Sequence, residues 1–582
     1  MRRYRQNINN MNIHKITIGI AIVLLPVLYR LDHCFTGLSA AFFSLVLFSL
    51  ALIPYLLSRE SYSWRKNDTL VGLLLCWTLI RYFTSPVLDD TFILFDWLAA
   101  VIAYTWARNS SAADTIFPAL FVGGIVQSAW GILQFSGNIP SYHAYFGQTG
   151  SFNTPALWGI YLAMAIFGGI RLLGTQTRKG YKMLVLAGMA FVSAGMILAH
   201  SRAAWVALAC GLAWTFLKPA KKPTGKKWNK KAVLTTVALL LLAALALWGV
   251  YLIRPDSAKG RLLVYGVSLF MLGDAPWFGH GIASFAAEYM PYQAEWFLHH
   301  PASSFARVAG NNHFAFNECL KIACEQGIIG LALFCLLVFC SIRHVNGATR
   351  YHAGLVVIIF IFGMFGYPFE DTSITCVFYV AAASIAGHTQ VVGRVTSVPR
   401  WVRYSVGTVL LACLLVTGAE YRYRKIVETD LQEAGQERES ILPPCFAEYY
   451  RALYASPDFV LRYAEELYTR ELYREALPVL KQARRLQCNE LILISLGECY
   501  RHEGEHDKAI EAFSLASRMT PAYILPCFHL FSLYRETGEE EKARQVAAEA
   551  LSMQVKIVNT TVLRAKHTMR TYLNETEKGG EK

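Results

Sequence analysis

The sequence predicts an all-α protein: a polytopic membrane bundle of about 12–13 transmembrane helices, followed by a soluble α-helical repeat domain. Three observations predict it. Apolar runs of 15–22 residues recur from Ile16 to about Ala419. Lysine and arginine concentrate in alternate loops between those runs. From residue 457 onward the chain turns polar and repeats itself with a period of about 34.

The 582 residues are 54% hydrophobic, with a mean hydropathy of +0.33. That total alone separates weakly from a soluble protein, but runs near 20 residues span the hydrocarbon core of a bilayer. The first run follows Arg2, Arg3, Arg5 and Lys15, which resembles a signal peptide. It ends at Leu28-Tyr29-Arg30 with no small-x-small cleavage signature, so it reads as an uncleaved first helix. Thirteen spans are expected, near residues 12–30, 36–57, 68–84, 90–107, 114–135, 155–173, 182–199, 203–217, 232–252, 320–341, 353–368, 373–388 and 404–420.

A net charge of +14 raises the question of nucleic acid, and its placement argues against it. The basic residues sit in the short loops Arg59–Lys66, Arg108, Arg171–Lys182, Lys218–Lys231, Arg343–His352 and Arg394–Arg403, and Lys218–Lys231 alone carries seven lysines. This is the positive-inside pattern. It places the N-terminus inside and the long segment 253–319 outside. Thirteen spans put everything after about Tyr421 outside as well. The thirteen cysteines lie mostly in or beside apolar runs, where cysteine behaves as a small hydrophobe, and none shows zinc-site spacing. No metal site and no cofactor are expected.

The chain divides into a membrane part, 1–420, a helical connector, 421–456, and a repeat domain, 457–582. In the repeats Tyr500, Gly504, Ala509 and Ala516 recur as Tyr534, Gly538, Ala543 and Ala550. This is the tetratricopeptide length and pattern. The alanines let paired helices approach closely, and the glycine ends the first helix of each pair. Ala476 and Ala483 belong to a looser earlier unit. Such arrays present a curved surface to a protein or peptide partner. A rigid cap or dimerisation arm is the plainer alternative.

Charged residues at membrane depth are costly and often functional, and four stretches on the expected outer side carry the candidates. Asn153 lies in Gly150-Ser-Phe-Asn-Thr-Pro155, which reads first as a tight turn at a helix start and second as a substrate contact. Arg202, in His200-Ser-Arg202, is either an interfacial anchor or an anion ligand. Arg261 opens an amphipathic helix, and His280 follows in the turn Gly279–Gly281, a weak phosphate signal. His313 precedes Asn317, Glu318 and Glu325 at the mouth of an apolar helix. Its ring suits proton transfer near neutrality, although a solvated loop histidine is the commoner case. His299 and His300 are further outer-face histidines, and Glu325 reads as a structural hydrogen-bond partner.

These stretches together resemble the O-antigen ligase and polymerase family. The matching features are GSFNTP at 150–155 with Trp158–Leu162, SRAAW at 201–205, GRLLVYGVSLFMLGDAPWFGHG at 260–281 and FNECLKIACEQGIIG at 316–330. The resemblance covers about residues 60–390. It implies a GT-C-like glycosyltransferase of the bacterial inner membrane, metal-independent and inverting, which takes a glycan from an undecaprenyl-diphosphate carrier on the periplasmic side. It implies that Arg202 and Arg261 hold the diphosphate. It puts the acid/base role on His313 or a neighbouring histidine, because Phe316 stands where many members have the histidine of a His-Asn pair. The acceptor is a lipid A-core sugar, another repeat unit (a polymerase) or a protein hydroxyl (an oligosaccharyltransferase). The non-enzyme alternatives are a lipid-linked glycan transporter and a membrane-tethered repeat scaffold. The spans hold few polar residues beyond Asp96 and Gln127, which argues against a transport path.

Overall fold

The computed structural model describes residues 15–17, 19–32, 35, 37–58, 62–87, 92–109, 113–141, 146–217, 255–301, 303–343, 345–395, 399–436, 443–555 and 558–580. The expected span 232–252 and the loop Lys218–Lys231 lie outside these residues. Helices lie over the other expected spans: α1 (Lys15–Leu28), α2 (Leu38–Ser58), α3 (Lys66–Phe83), α4 (Phe92–Asn109), α5 (Ile116–Phe135), α6 (Pro155–Thr175), α7 (Lys179–Leu198) and α8 (Arg202–Leu217), and among the described residues five helices are long and apolar enough to cross a membrane. After α9 (Pro255–Asp274) and α10 (Ser284–His299) come α11 (Glu318–Arg343), α12 (Arg350–Gly363), α13 (Thr372–Ala386) and α14 (Arg400–Gln436).

The basic loops meet at one face. Tyr62–Arg65 pairs antiparallel with Val391–Val395, with Ser63 opposite Arg394. Arg108 reaches the Ser63 carbonyl at 3.1 Å and Asp68 at 3.2 Å, both side chains of that ion pair being buried. Asp114 lies 3.8 Å from Arg171 and 3.6 Å from His352. Five of the six expected inside loops are thus in contact, directly or through one neighbour. The other end of α3 belongs to the opposite face, where Arg81 donates to the Gly279 carbonyl at 3.0 Å and Ser85 to that of Ile282 at 2.9 Å. Eighteen residues of α3 at about 1.5 Å each span about 27 Å, close to the thickness of a hydrocarbon core.

The expected span 320–341 is not one straight helix. Gly327, at φ +70° and ψ −176°, breaks α11, and the legs 318–326 and 328–343 fold back on each other. The side chains of Cys319 and Cys335 therefore interact, although a straight helix would hold them about 24 Å apart. The apex is built for close approach. A Cβ on Gly327 would lie 2.1 Å from the Trp277 carbonyl oxygen, and one on Gly279 would lie 2.5 Å from the Glu325 carbonyl carbon.

The tail carries α15 (Cys445–Ala452), α16 (Pro457–Thr469), α17 (Tyr473–Leu486), α18 (Glu490–His502), α19 (His506–Met519), α20 (Leu525–Glu536), α21 (Glu540–Ser552) and α22 (Thr560–Gly580). The glycine turns of the two clear repeats are the same turn. Gly504 and Gly538 have φ +76° and +77°, and the following N–H donates at 2.8 Å to the carbonyl of Tyr500 or Tyr534. In the looser first unit Glu471 holds that left-handed place at φ +61°. The array packs on α10 through one continuous apolar core that includes Tyr289, Ala294, Phe297, Leu480, Ala516 and Met519. The tail therefore sits at the face that holds segment 255–317, opposite the basic loops.

Candidate active site

The first stretch is a helix start. Gln134 of α5 accepts the N–H groups of Thr149 and Gly150 at 2.9 Å, and Gln127 bonds Ser151 at 2.7 Å. Gly150 has φ +62°, and a Cβ there would strike Trp158 at 2.7 Å. Thr154 caps α6 by accepting from the Leu157 N–H. Asn153 is half-buried beside the cap.

Three of the four stretches converge on Tyr367, in the loop between α12 and α13. Thr154 hydrogen-bonds its hydroxyl, Phe314 stacks on its ring at 4.3 Å and Phe316 meets it edge-on at 5.9 Å. Arg261 lies within electrostatic reach of the same tyrosine, and its guanidinium sits over the Phe316 ring at 5.7 Å. No carboxylate pairs with Arg261 among the described residues. Arg202 is the first residue of α8 and is half-buried. Its neighbour Ser201 packs on Gly159, where a Cβ would lie 2.4 Å from the serine Cβ. Gly159 is five residues, about 7.5 Å, from Thr154 along α6. Both arginines therefore stand at the N-terminal end of α6.

Asn317 caps α11 by accepting from the Leu320 N–H at 3.2 Å, and its side chain bonds the hydroxyl of Tyr265. Tyr265 donates in addition to the Phe316 and Met364 carbonyls at 3.2 and 3.3 Å. Phe316 itself has φ +50°, a conformation that a bulky residue adopts at a price in strain of about 1–3 kcal/mol. The strain sits at the position where the resemblance leads one to expect a histidine.

His313 is half-buried one turn before α11, and its Nδ1 has no partner among the described residues. Desolvation lowers its pKa, so the ring is neutral at physiological pH and offers a free lone pair. His280 is committed elsewhere. Its Nδ1 lies 2.9 Å from Glu288 and its Nε2 2.9 Å from the Met271 carbonyl, and the Glu288 hydrogen bond raises its pKa. The Gly279–Gly281 turn is not a phosphate cradle either, because its three N–H groups already bond the carbonyls of Ala275, Cys324 and Glu325. Glu325 is buried at the hairpin apex. His299 and His300 are exposed, with His300 stacked on Trp296 at 4.3 Å.

Two contributors were not singled out from the sequence, and a third, Glu318, was named there only as one of the polar residues at the mouth of an apolar helix. Tyr265 and Tyr367 carry no motif signal, since their roles depend on long-range contacts. Glu318 is buried with Oε2 unpaired among the described residues, beside Gly363 and near the Lys321–Glu370 ion pair. A cavity of about 300 Å³ opens instead at the basic face, lined by Arg108, Asp114, His352 and His388, and it includes none of the candidates.

Residues 187–335 match the family model described as O-antigen ligase. The matched stretch holds Arg202, Arg261, His280, His313, Asn317 and Glu325, while Asn153 precedes it. The match supports glycan transfer of the O-antigen ligase kind at the level of the family, in a protein of membrane helices. No curated protein matches. Among solved structures, the crystal structure of the yeast Tom70 is similar at 10% identity and a TM-score of 0.23, over 88% of this chain and 96% of that one.

Proposed function

We propose that this protein transfers a glycan from an undecaprenyl-diphosphate carrier to an acceptor hydroxyl at the membrane face opposite the basic loops. By the positive-inside rule that face is the periplasmic one. The observation that carries the proposal is the grouping of Arg261 over Phe316, beside Tyr367 and Asn317, within the stretch similar to O-antigen ligases.

The chemistry follows from the residues. Arginine keeps its charge and grips phosphate oxygens in a bidentate fork, so Arg261 and Arg202 bind the diphosphate and stabilise the charge that develops as it leaves. His313, neutral and with a free ring nitrogen, takes the acceptor hydroxyl proton. The acceptor oxygen attacks the anomeric carbon. The bond to the diphosphate breaks, and the carrier departs with the electron pair. Attack opposite the leaving group inverts the anomeric centre. Reconstitution of the full chain in liposomes with a defined undecaprenyl-diphosphate glycan tests the reading. The expected result is carrier release coupled to glycosylation of an added acceptor. Flipping of the carrier without any bond cleavage would replace the enzyme with a transporter.

A further inference from the structure

The loop Gly310–His313 is held from the repeat domain. The Gln293 side-chain amide, fully buried, donates to the Met519 carbonyl at 2.7 Å and to the Gly310 carbonyl at 3.3 Å. Its oxygen accepts from the Tyr289 hydroxyl at 2.9 Å. Asn312 donates to the Gly310 carbonyl at 3.0 Å and bonds the Tyr289 hydroxyl. Asn311 hydrogen-bonds Glu490, the first residue of α18, whose side chain is buried. The loop is thus held at Gly310, Asn311 and Asn312, whereas His313 Nδ1, like Asn311 Oδ1 and Glu490 Oε2, has no partner among the described residues.

We propose that the repeat domain is a positioning element of the active site, which holds the Gly310–His313 loop through Glu490 and the Met519 carbonyl so that the His313 ring is fixed in place. The proposal rests on the reading of His313 as the base. Buried polar groups need their partners, and without the repeat domain the Gln293 amide and the Asn311 side chain would each lose one. The apolar face of α10 that covers Ala516 and Met519 would open to water at the same time. The loop therefore keeps this shape only with the domain docked. A base displaced by about 1 Å loses rate by up to about 100-fold without loss of binding, so the coupling acts on turnover.

The test uses the full chain in nanodiscs. Hydrogen exchange is read over residues 309–317, and kcat and KM are measured with an undecaprenyl-diphosphate glycan. Glu490→Ala should speed exchange in 309–317 alone and lower kcat by about 10- to 100-fold at unchanged donor KM. Glu490→Gln, which keeps an acceptor for Asn311, should restore both. Asn311→Ala should reproduce the local signature from the loop side with the repeats undisturbed. Unchanged exchange in 309–317 in both alanine variants overturns the proposal, as does faster exchange with kcat unchanged. His313→Ala separates the two readings: full turnover in that variant removes the base, while the exchange data still decide whether the loop is held.

Discussion

Gly279 and Gly327 meet so closely that a Cβ on Gly279 would lie 2.6 Å from the Gly327 nitrogen. Both have φ +70°, which only glycine adopts freely. Gly327→Ala should therefore remove several kcal/mol, on the order of 3 or more, and appear as loss of folded, extractable protein. A short bifunctional thiol reagent should staple Cys319 to Cys335 in the native chain, read as a cross-linked peptide by mass spectrometry. A continuous helix through Gly327 would leave that pair unlinked.

Arg261→Ala should lower transfer from the lipid-linked donor by about 100- to 1,000-fold at normal protein level, the scale for removing one group that stabilises developing charge. Arg261→Lys should recover only part, since an ammonium cannot form the bidentate fork. Initial rates in proteoliposomes give both numbers. Full activity in Arg261→Ala would leave the diphosphate without its binding group.

The pH profile should carry the mark of His313. Burial lowers its pKa from the ordinary 6.5, so the base stays neutral as pH falls through 6.5 and is protonated only in more acid solution. The acid limb of kcat/KM should accordingly lie below 6.5, and His313→Ala should flatten it. A limb at or above 6.5 assigns the proton to another group.

Glu490 should make the docked repeat domain sensitive to alkali. Burial raises its pKa from 4.5 to about 7, against a smaller opposing effect of its hydrogen bonds. A raised folded-state pKa contributes stability that is complete below about 4.5 and is lost as pH rises through about 7. The unfolding temperature of the tail should fall between pH 5 and pH 8 by more in the native chain than in Glu490→Gln. Equal slopes in the two proteins would show that the carboxyl is not the group responsible.

Glu471 occupies a left-handed position that its two counterparts, Gly504 and Gly538, give to glycine. Glu471→Gly should stabilise the first repeat, by up to about 1–2 kcal/mol, with no change in transfer. Denaturant unfolding of the purified chain is the measurement.

Local physics made most of the architecture legible. Hydropathy marks a helix wherever the chain has to satisfy its own backbone in lipid, and charge marks the loops at one face. The repeat glycines announce their turns because few other residues accept that backbone. The break at Gly327 escaped because averaged hydropathy is blind to a single glycine at the head of an apolar run, although the polar pair Glu325-Gln326 before it was a usable signal. At the site, Arg261 and His313 were visible as charges and rings in an apolar context. Tyr265 and Tyr367 were not, since their partners lie 51 and 213 residues away in Phe316 and Thr154. His280 stood out as a ring in an outer-loop turn, and the pairing with Glu288 that engages it is invisible before the chain folds.

The last membrane helix runs 37 residues without a break, about 55 Å, well beyond the 30 Å or so of the hydrocarbon core. Its far end is clasped by the tail, with Tyr449 on Asp430 at 2.5 Å and Arg470 on the Ala434 carbonyl at 2.7 Å, while Lys425 grips Asp32 at 2.9 Å lower down. Such a mast sets height and heading together. One residue inserted above Lys425 would swing everything beyond it by about 100° and lift it by about 1.5 Å, so that Met519 would face away from Gln293. The register of this one helix is thus a length standard that sets where the repeat array meets α10.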